Sequence, residues 1–292
     1  MTKVLVTGSA GLVGRQVVKD LVEKNFDVYS CYNVDKPEVG IPIKLDLSKK
    51  DEIVAVLHDI SPDAIIHLAA ITDVDLCETQ RELATLINTK STEILAQESA
   101  KKQTFFVYLS TDYVFDGKVG LKNEDDSPNP INFYGKSKLD GEIASKNFAS
   151  SYAIIRTSTP FGIHTKKKSF PLWIKESLES KKEIPIFLDQ YTSPTFVPNL
   201  SKMLIEVTTK KITGIIHLAG ATRISRFDFA KMIAEKLNLD ETLLQPKKIE
   251  QANLIAKRPQ DSSLDVSKAK KMLDNKPQEI EHSLELFINQ IK

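Results

Sequence analysis

Tyr134 and Lys138 sit four residues apart in Tyr134-Gly-Lys-Ser-Lys138, a spacing that puts both on one face of a helix, about one turn apart. A phenol beside an ammonium is a plausible proton donor, because the positive charge lowers the phenol pKa from about 10. Upstream, Ser110 and Thr111 close the apolar run Phe105 to Leu109 and offer hydroxyls that could hold a substrate oxygen against that phenol. The spacing alone says little, since Tyr32 and Lys36 share it at a strand-to-loop edge where no helix aligns them. Context singles out Tyr134. It follows the strand-end hydroxyls across a loop with Pro128 and Pro130, and it opens a helical segment reaching to about Phe148.

A proton donor needs a partner, and the N-terminus offers one. Lys3 to Thr7 is a short, Val-rich buried strand, followed at once by Gly8-Ser-Ala-Gly11-Leu12-Val13-Gly14. Arg15 to Lys24 then has helical apolar spacing at Val17, Val18, Leu21 and Val22. Strand, glycine turn and helix together predict a nucleotide site, in which the backbone approaches a pyrophosphate seated at the helix N-terminus. A tight turn with no ligand is the plain alternative.

The other elements alternate along the chain. A second strand, Asp27 to Asn33, ends without the acid that an NAD-preferring unit usually carries there. That leans towards NADP or a tolerant site, with Lys36 a candidate for the 2′-phosphate; a loop of solvated charges is the competing reading. Lys44 to Leu47 ends a third strand, and Asp46 also suits the N-cap of a helix from Ser48 to Asp59. Ala64 to Ala70 is another buried strand, apolar except for His67, which reads as a satisfied core residue. Gly214 to Gly220 nearly repeats it, with flanks that do not match. Asp73 and Asp75 lack the further ligands of a metal site and read as helix caps, so no metal is expected. Arg81 to Lys101 is one amphipathic helix carrying Asn88.

Beyond the Tyr134 helix come a strand from Tyr152, the basic run Lys166-Lys167-Lys168 (read as a solvated loop) and a helix from Pro171 to Lys181, on which Trp173 packs. A helix to about Thr209 follows Ser193-Pro-Thr-Phe-Val-Pro198. Then come a strand from Gly214, a helix after Ser225, and terminal helices around 266–273 and 279–291. The pattern predicts an α/β protein with a doubly wound Rossmann-type parallel sheet. Residues 1–155 form the dinucleotide-binding domain, and 156–292 mainly a smaller C-terminal substrate-binding lobe, with the chain free to pass back.

Composition excludes several classes. Lys+Arg 40 against Asp+Glu 39 over 292 residues leaves no electrostatic case for nucleic acid or an anionic membrane. Cys31 and Cys77 make neither a disulfide framework nor a zinc site. No apolar run approaches the roughly 18 residues of a membrane span, and Met1 leads directly into Val4-Leu5-Val6, so a cytoplasmic protein is expected.

The GxxGxxG spacing and the Tyr-x-x-x-Lys pair resemble the extended short-chain dehydrogenase/reductase superfamily, which acts on nucleotide sugars. Narrower still, Ser-Thr-Asp-Tyr-Val-Phe-Asp-Gly at 110–117 is similar to the dTDP-4-dehydrorhamnose reductase family. Tyr-Gly-Lys-Ser-Lys-Leu-Asp-Gly-Glu at 134–142, Arg-Thr-Ser at 156–158, Ser-Pro-Thr-Phe-Val-Pro at 193–198 and Arg-Pro-Gln-Asp-Ser-Ser-Leu-Asp at 258–265 agree with it. The resemblance implies NADPH as cofactor, with NADH possible, and reduction of the C4 keto group of a nucleotide-linked 4-keto-6-deoxy sugar. It makes Tyr134 the proton donor, Lys138 its support on the nicotinamide ribose, and Thr111 the hydrogen-bond partner of the keto oxygen. Gly8, Gly11, Leu12, Val13, Gly14, Asp46, Leu47, Leu68, Ala69, Ala70, Asn88 and Ser110 fall at cofactor positions. Thr72, Val74 and Tyr113 fall near the sugar, and Arg258 within reach of the diphosphate. A homodimer is a possible assembly, although the acidic dimer-bridging metal site of some bacterial members has no clear counterpart.

Two departures bear on substrate and class. The family commonly places a sugar-lining Trp after Arg-Thr-Ser, where this chain has Thr159-Pro160-Phe161. Related dehydratases follow the strand-end Thr with Asp-Glu; here Asp112-Tyr113 follows Thr111, which disfavours dehydration and leaves epimerisation open. The beta subunit of methionine adenosyltransferase, a regulatory protein, is also similar over the Asp-Tyr-Val-Phe-Asp-Gly and Tyr-Gly-Lys segments. Thr111, where that subunit is expected to have Ser, favours the enzyme.

Overall fold

The computed structural model describes every residue except Met1, Thr165, Lys167 and Lys292. The middle of the basic run, Lys167, thus lies outside the described residues. Strand β1 (Lys3–Thr7) leads through the glycine turn into α1 (Leu12–Glu23), which turns Val13, Val17, Val18 and Leu21 inward. β2 (Asp27–Tyr32), β3 (Ile41–Lys44), α2 (Lys50–Ile60) and β4 (Ala64–His67) follow. Next come α3 (Val74–Thr79), α4 (Arg81–Ala84), α5 (Ser91–Lys101), β5 (Phe105–Thr111), α6 (Phe133–Phe148) and β6 (Tyr152–Thr157).

The remainder interleaves short strands with helices. In order they are β7 (Pro160–Phe161), α7 (Phe170–Glu179), β8 (Ile184–Phe187), β9 (Tyr191–Thr192), β10 (Thr195–Phe196) and α8 (Val197–Thr209). Then come β11 (Gly214–His217), β12 (Ile224–Ser225), α9 (Arg226–Leu237), β13 (Leu244–Lys247), α10 (Ser267–Met272) and α11 (Ile280–Ile291).

Seven strands form one parallel sheet in the order β11-β6-β5-β4-β1-β2-β3. Its central strands are apolar on both faces, as a parallel sheet covered by helices requires. Val4, Val6, Ile66, Val107 and Ile155 meet α1 and α8 on one side; Leu5, Ile65, Phe106 and Ile154 meet α2 and α5 on the other. The order reverses between β1 and β4, and the crevice at their carboxyl ends is where such sheets bind ligands. A separate core forms around Phe161, whose ring lies 5.5–5.7 Å from those of Phe196, Phe229 and Phe287. The chain does return to the sheet: β11 extends it beside β6, and α8 packs on α1.

Three local outcomes differ from the sequence pattern. The strand through His67 stops short of Ala70, because the amides of Leu68 and Ala69 turn aside to the Thr7 hydroxyl at 3.2 Å each. The helix after β3 starts at Lys50, since the Asp46 carboxylate folds Ser48 into a preceding turn (Ser48 N to Oδ1, 2.9 Å) and so does not serve as N-cap. The single helix expected over Arg81 to Lys101 is interrupted by a π-helical turn, Thr85–Lys90, that carries Asn88 into the interior.

Candidate active site

Gly8 adopts φ +66°, and a Cβ there would stand 2.8 Å from the Ala69 amide. A Cβ on Gly14 would meet the Gly8 carbonyl at 2.1 Å. The glycines therefore let β1, α1 and the end of β4 close upon one another. Gly11 N-caps α1 without a side chain, which leaves the first-turn amides facing the crevice, the arrangement that suits a pyrophosphate. Leu12 lines a cavity of about 450 Å³ beside this turn, while Val13 is core. A smaller cavity of about 230 Å³ adjoins it, walled by Ala10, Arg15, Asp35, Lys36, Glu38 and Lys166 among others.

At the other side of the crevice, β5 delivers Ser110 and Thr111, and α6 delivers Tyr134 and Lys138. Asn132 caps α6, its side chain accepting from the Gly135 amide at 2.8 Å and donating to the Lys257 carbonyl. Gly135 packs on the Tyr113 carbonyl, where a Cβ would lie 2.1 Å away, so the helix start is pressed against the turn after β5. Thr111 stabilises the charged form of the Tyr134 phenol, and the Tyr113 ring meets the Tyr134 ring edge-on at 5.9 Å.

The electrostatics of the site differ from the expectation in one respect. Burial raises the Tyr134 pKa above that of an ordinary phenol, and the hydrogen bond with Thr111 only partly offsets this. Lys138 does not lower it: desolvation brings the lysine's own pKa down to about 7, against the pull of Glu142. Its ammonium lies 4.1 Å over the Tyr108 ring. A phenol held protonated at neutral pH still suits a donor.

The other expected ligand residues already have partners within the protein or lie along the crevice. Ser110 is buried and donates to Glu142 at 2.6 Å, so its hydroxyl faces away from Thr111 as strand alternation demands. Asn88 is fully buried, bonded through its carboxamide to the Ile71 amide and carbonyl and to Ser137; it clamps the loop after β4 and does not reach the crevice. Leu47 is core, leaving only its backbone for a ligand, whereas Asp46 is partly exposed. Leu68, Ala69 and Ala70 line the partly exposed end of β4, with Thr72 exposed beyond them and Val74 on α3. Arg258 is held by Asp75 at 3.0 Å and by the Ala256 carbonyl at 2.7 Å. His67 bonds Thr7 and Thr92, and burial drops its pKa to about 3. His217 likewise falls to about 3, so both imidazoles stay neutral.

Sequence reasoning missed two networks. Behind β5, Glu142 receives Arg156 Nε and Nη2 at 2.9 and 2.8 Å as well as the Ser110 hydroxyl, with both charges essentially dry. Its signal was there: Glu142 follows Lys138 by one helical turn. In front of β5, Thr111 donates to Asp112 (2.9 Å), which also receives Ser158 (2.7 Å). Ser158 meets Thr192 (2.7 Å), and Thr192 meets Thr159 (2.5 Å). These residues are scattered in sequence, so no spacing reveals them. Among the described residues, the buried Thr157 hydroxyl has no partner; it stands in register with Thr111 at the strand ends.

The glycine cradle, the orphaned Thr157 hydroxyl and Lys138 fit a dinucleotide cofactor. The fold and this site define a Rossmann-type oxidoreductase built around a Tyr-Lys pair. The chain belongs to the RmlD substrate binding domain family, which matches residues 1–292. It is similar to the crystal structure of dTDP-4-dehydrorhamnose reductase from Bacillus anthracis in complex with NADP. That likeness has 30% identity and a TM-score of 0.89, over 99% of this chain and 100% of the other. A probable low-salt glycan biosynthesis reductase of Haloferax volcanii is 33% identical, covering 90% of this chain and 89% of the relative. Methionine adenosyltransferase 2 subunit beta of Xenopus laevis is also 33% identical, covering 92% and 82%. Among the described residues no helix is long and apolar enough to cross a membrane.

Proposed function

We propose that the protein reduces the C4 keto group of a nucleotide-linked 4-keto-6-deoxy sugar, in the manner of dTDP-4-dehydrorhamnose to dTDP-rhamnose, with Tyr134 as proton donor. The observation that carries this is the start of α6 pressed on the turn after β5, which brings Tyr134 beside Tyr113 and the strand-end Thr111. The bound reduced nicotinamide supplies a hydride. This chain's own residues do the rest: the α1 first turn receives the pyrophosphate, Lys138 holds the nicotinamide ribose, and Thr157 offers its unpaired hydroxyl to the cofactor. Thr111 and Tyr134 hold the keto oxygen, and Tyr134 passes it a proton as the alcohol forms. Lys36 on the smaller cavity is the candidate for the 2′-phosphate of NADPH, and the Bacillus relative is bound to NADP.

The methionine adenosyltransferase relative supports a second reading, a regulatory subunit that binds the cofactor without turnover. One experiment separates them: incubate the protein with NADPH and dTDP-4-dehydro-6-deoxy-L-mannose and follow loss of reduced cofactor. Turnover is expected. Tight NADP binding without turnover, together with co-purification of a methionine adenosyltransferase, would replace the first reading with the second.

A further inference from the structure

The six arginines of the chain divide unevenly. Five have a carboxylate partner: Arg15 with Glu38, Arg81 with Glu78, Arg156 with Glu142, Arg223 with Asp261, and Arg258 with Asp75. Arg226 has none within 4.0 Å among the described residues, although it is partly buried. Its guanidinium rests 5.0 Å over the Phe170 ring and makes a long contact of 3.4 Å with the Thr159 hydroxyl. A guanidinium stays charged at any ordinary pH, and removing it from water without a counter-ion is costly. The position is nevertheless built, not incidental. Ile224 and Ser225 pair with Thr192 and Tyr191, and the Arg226 amide donates to the Gln190 carbonyl at 2.8 Å.

Two further facts place this cation on the substrate side of the catalytic pair. Through Thr159 it joins the chain of hydroxyls that runs by way of Thr192, Ser158 and Asp112 to Thr111. It also acts electrostatically on Tyr113, whose ring contacts Tyr134. Asp112, a buried acid that interacts electrostatically with it, is occupied by hydroxyl donors and does not close an ion pair within 4.0 Å. Arg258, the arginine expected to meet the substrate's phosphates, is already engaged by Asp75.

We propose that Arg226 is an anion-binding residue of the substrate cleft, receiving a negatively charged oxygen group of the nucleotide sugar: a phosphate of the diphosphate or a carboxylate on the sugar. The inference rests on the nucleotide-sugar reading above: a phosphate fits the 6-deoxy sugar proposed there, whereas a carboxylate would make the sugar a uronic acid and replace that substrate.

Calorimetric titration of the NADP-loaded protein and its Arg226→Gln variant with dTDP, UDP-glucose and UDP-glucuronic acid tests it without turnover. A charge-assisted contact predicts a loss of about 10- to 100-fold. If the anion is phosphate, dTDP affinity falls by that factor while NADP affinity holds. If it is a carboxylate, dTDP binds unchanged and a preference for UDP-glucuronic acid over UDP-glucose disappears. Arg226→Lys, which keeps the charge, retains part of the affected affinity. Unchanged binding of all three probes overturns the proposal alone, and so does equal loss in both variants accompanied by loss of NADP. Failure of the wild type to bind any probe, with NADP still bound, overturns the nucleotide-sugar reading and this inference with it.

Discussion

Ser110 and Thr111 are neighbours in the chain, yet their hydroxyls belong to opposite kinds of network. Behind the strand, Ser110 joins a dry ion pair between Glu142 and Arg156. In front, Thr111 joins a chain of hydroxyls around the buried Asp112, whose pKa is raised because desolvation outweighs its hydrogen bonds. One helix serves both. Tyr134 reaches the front and Glu142, two turns further on, reaches the rear, with Lys138 between them over the Tyr108 ring. The difference shows a division of labour: behind the strand two full charges pair with each other, and in front hydroxyl donors gather on one buried carboxyl. The rear network stabilises the fold, and in the proposed reaction the front one handles the substrate.

That division can be broken from either side. Tyr134→Phe should lower kcat by about 10²- to 10⁴-fold in the reductase assay, as loss of a general acid does, with cofactor affinity retained. Undiminished kcat would remove Tyr134 from the chemistry. Glu142→Leu strands Arg156 as an unpaired buried charge and should cost about 3–5 kcal/mol in urea unfolding. A cost as small as that of a surface substitution would mean that the rear pair does not hold the fold.

Lys138 sharpens the comparison through pH. Its folded pKa, about 7, lies below the unfolded value of 10.5, so the unfolded chain binds more protons between those limits. Wild-type stability relative to Lys138→Met should therefore rise as pH increases from 7 towards 10, read as the difference in Tm. A flat difference would place the ammonium in a wetter setting. Asp112→Asn should have the smallest effect on stability, about 1 kcal/mol, because hydroxyl donors can rotate to suit an amide. Its larger consequence should appear in kcat, since the Thr111 hydroxyl is released. An effect on stability equal to that of Glu142→Leu would erase the distinction between the two networks.

Legibility followed range along the chain. The glycine turn, the Tyr134–Lys138 pair and the capping of α3 by Asp73 are local, and spacing read with its neighbouring elements exposed each of them. Asn88 was visible as a position but not in its role, because only the π-helical turn aims it at Ile71 and Ser137. The two near-identical strings around His67 and His217 make the same point. Both form buried strands, but β4 lies at the centre beside the glycine turn and β11 at the edge against β6.

The sequence by itself determined most strands and helices and the oxidoreductase class, because those depend on hydrophobic period and on motifs confined to a turn or two. Only the tertiary structure decided that Ser110 serves the fold, that Arg258 is spoken for, and that Arg226 stands without a counter-ion. Those outcomes turn on which charges meet across the sheet and between distant loops, and burial fixes their energies only once the chain has closed.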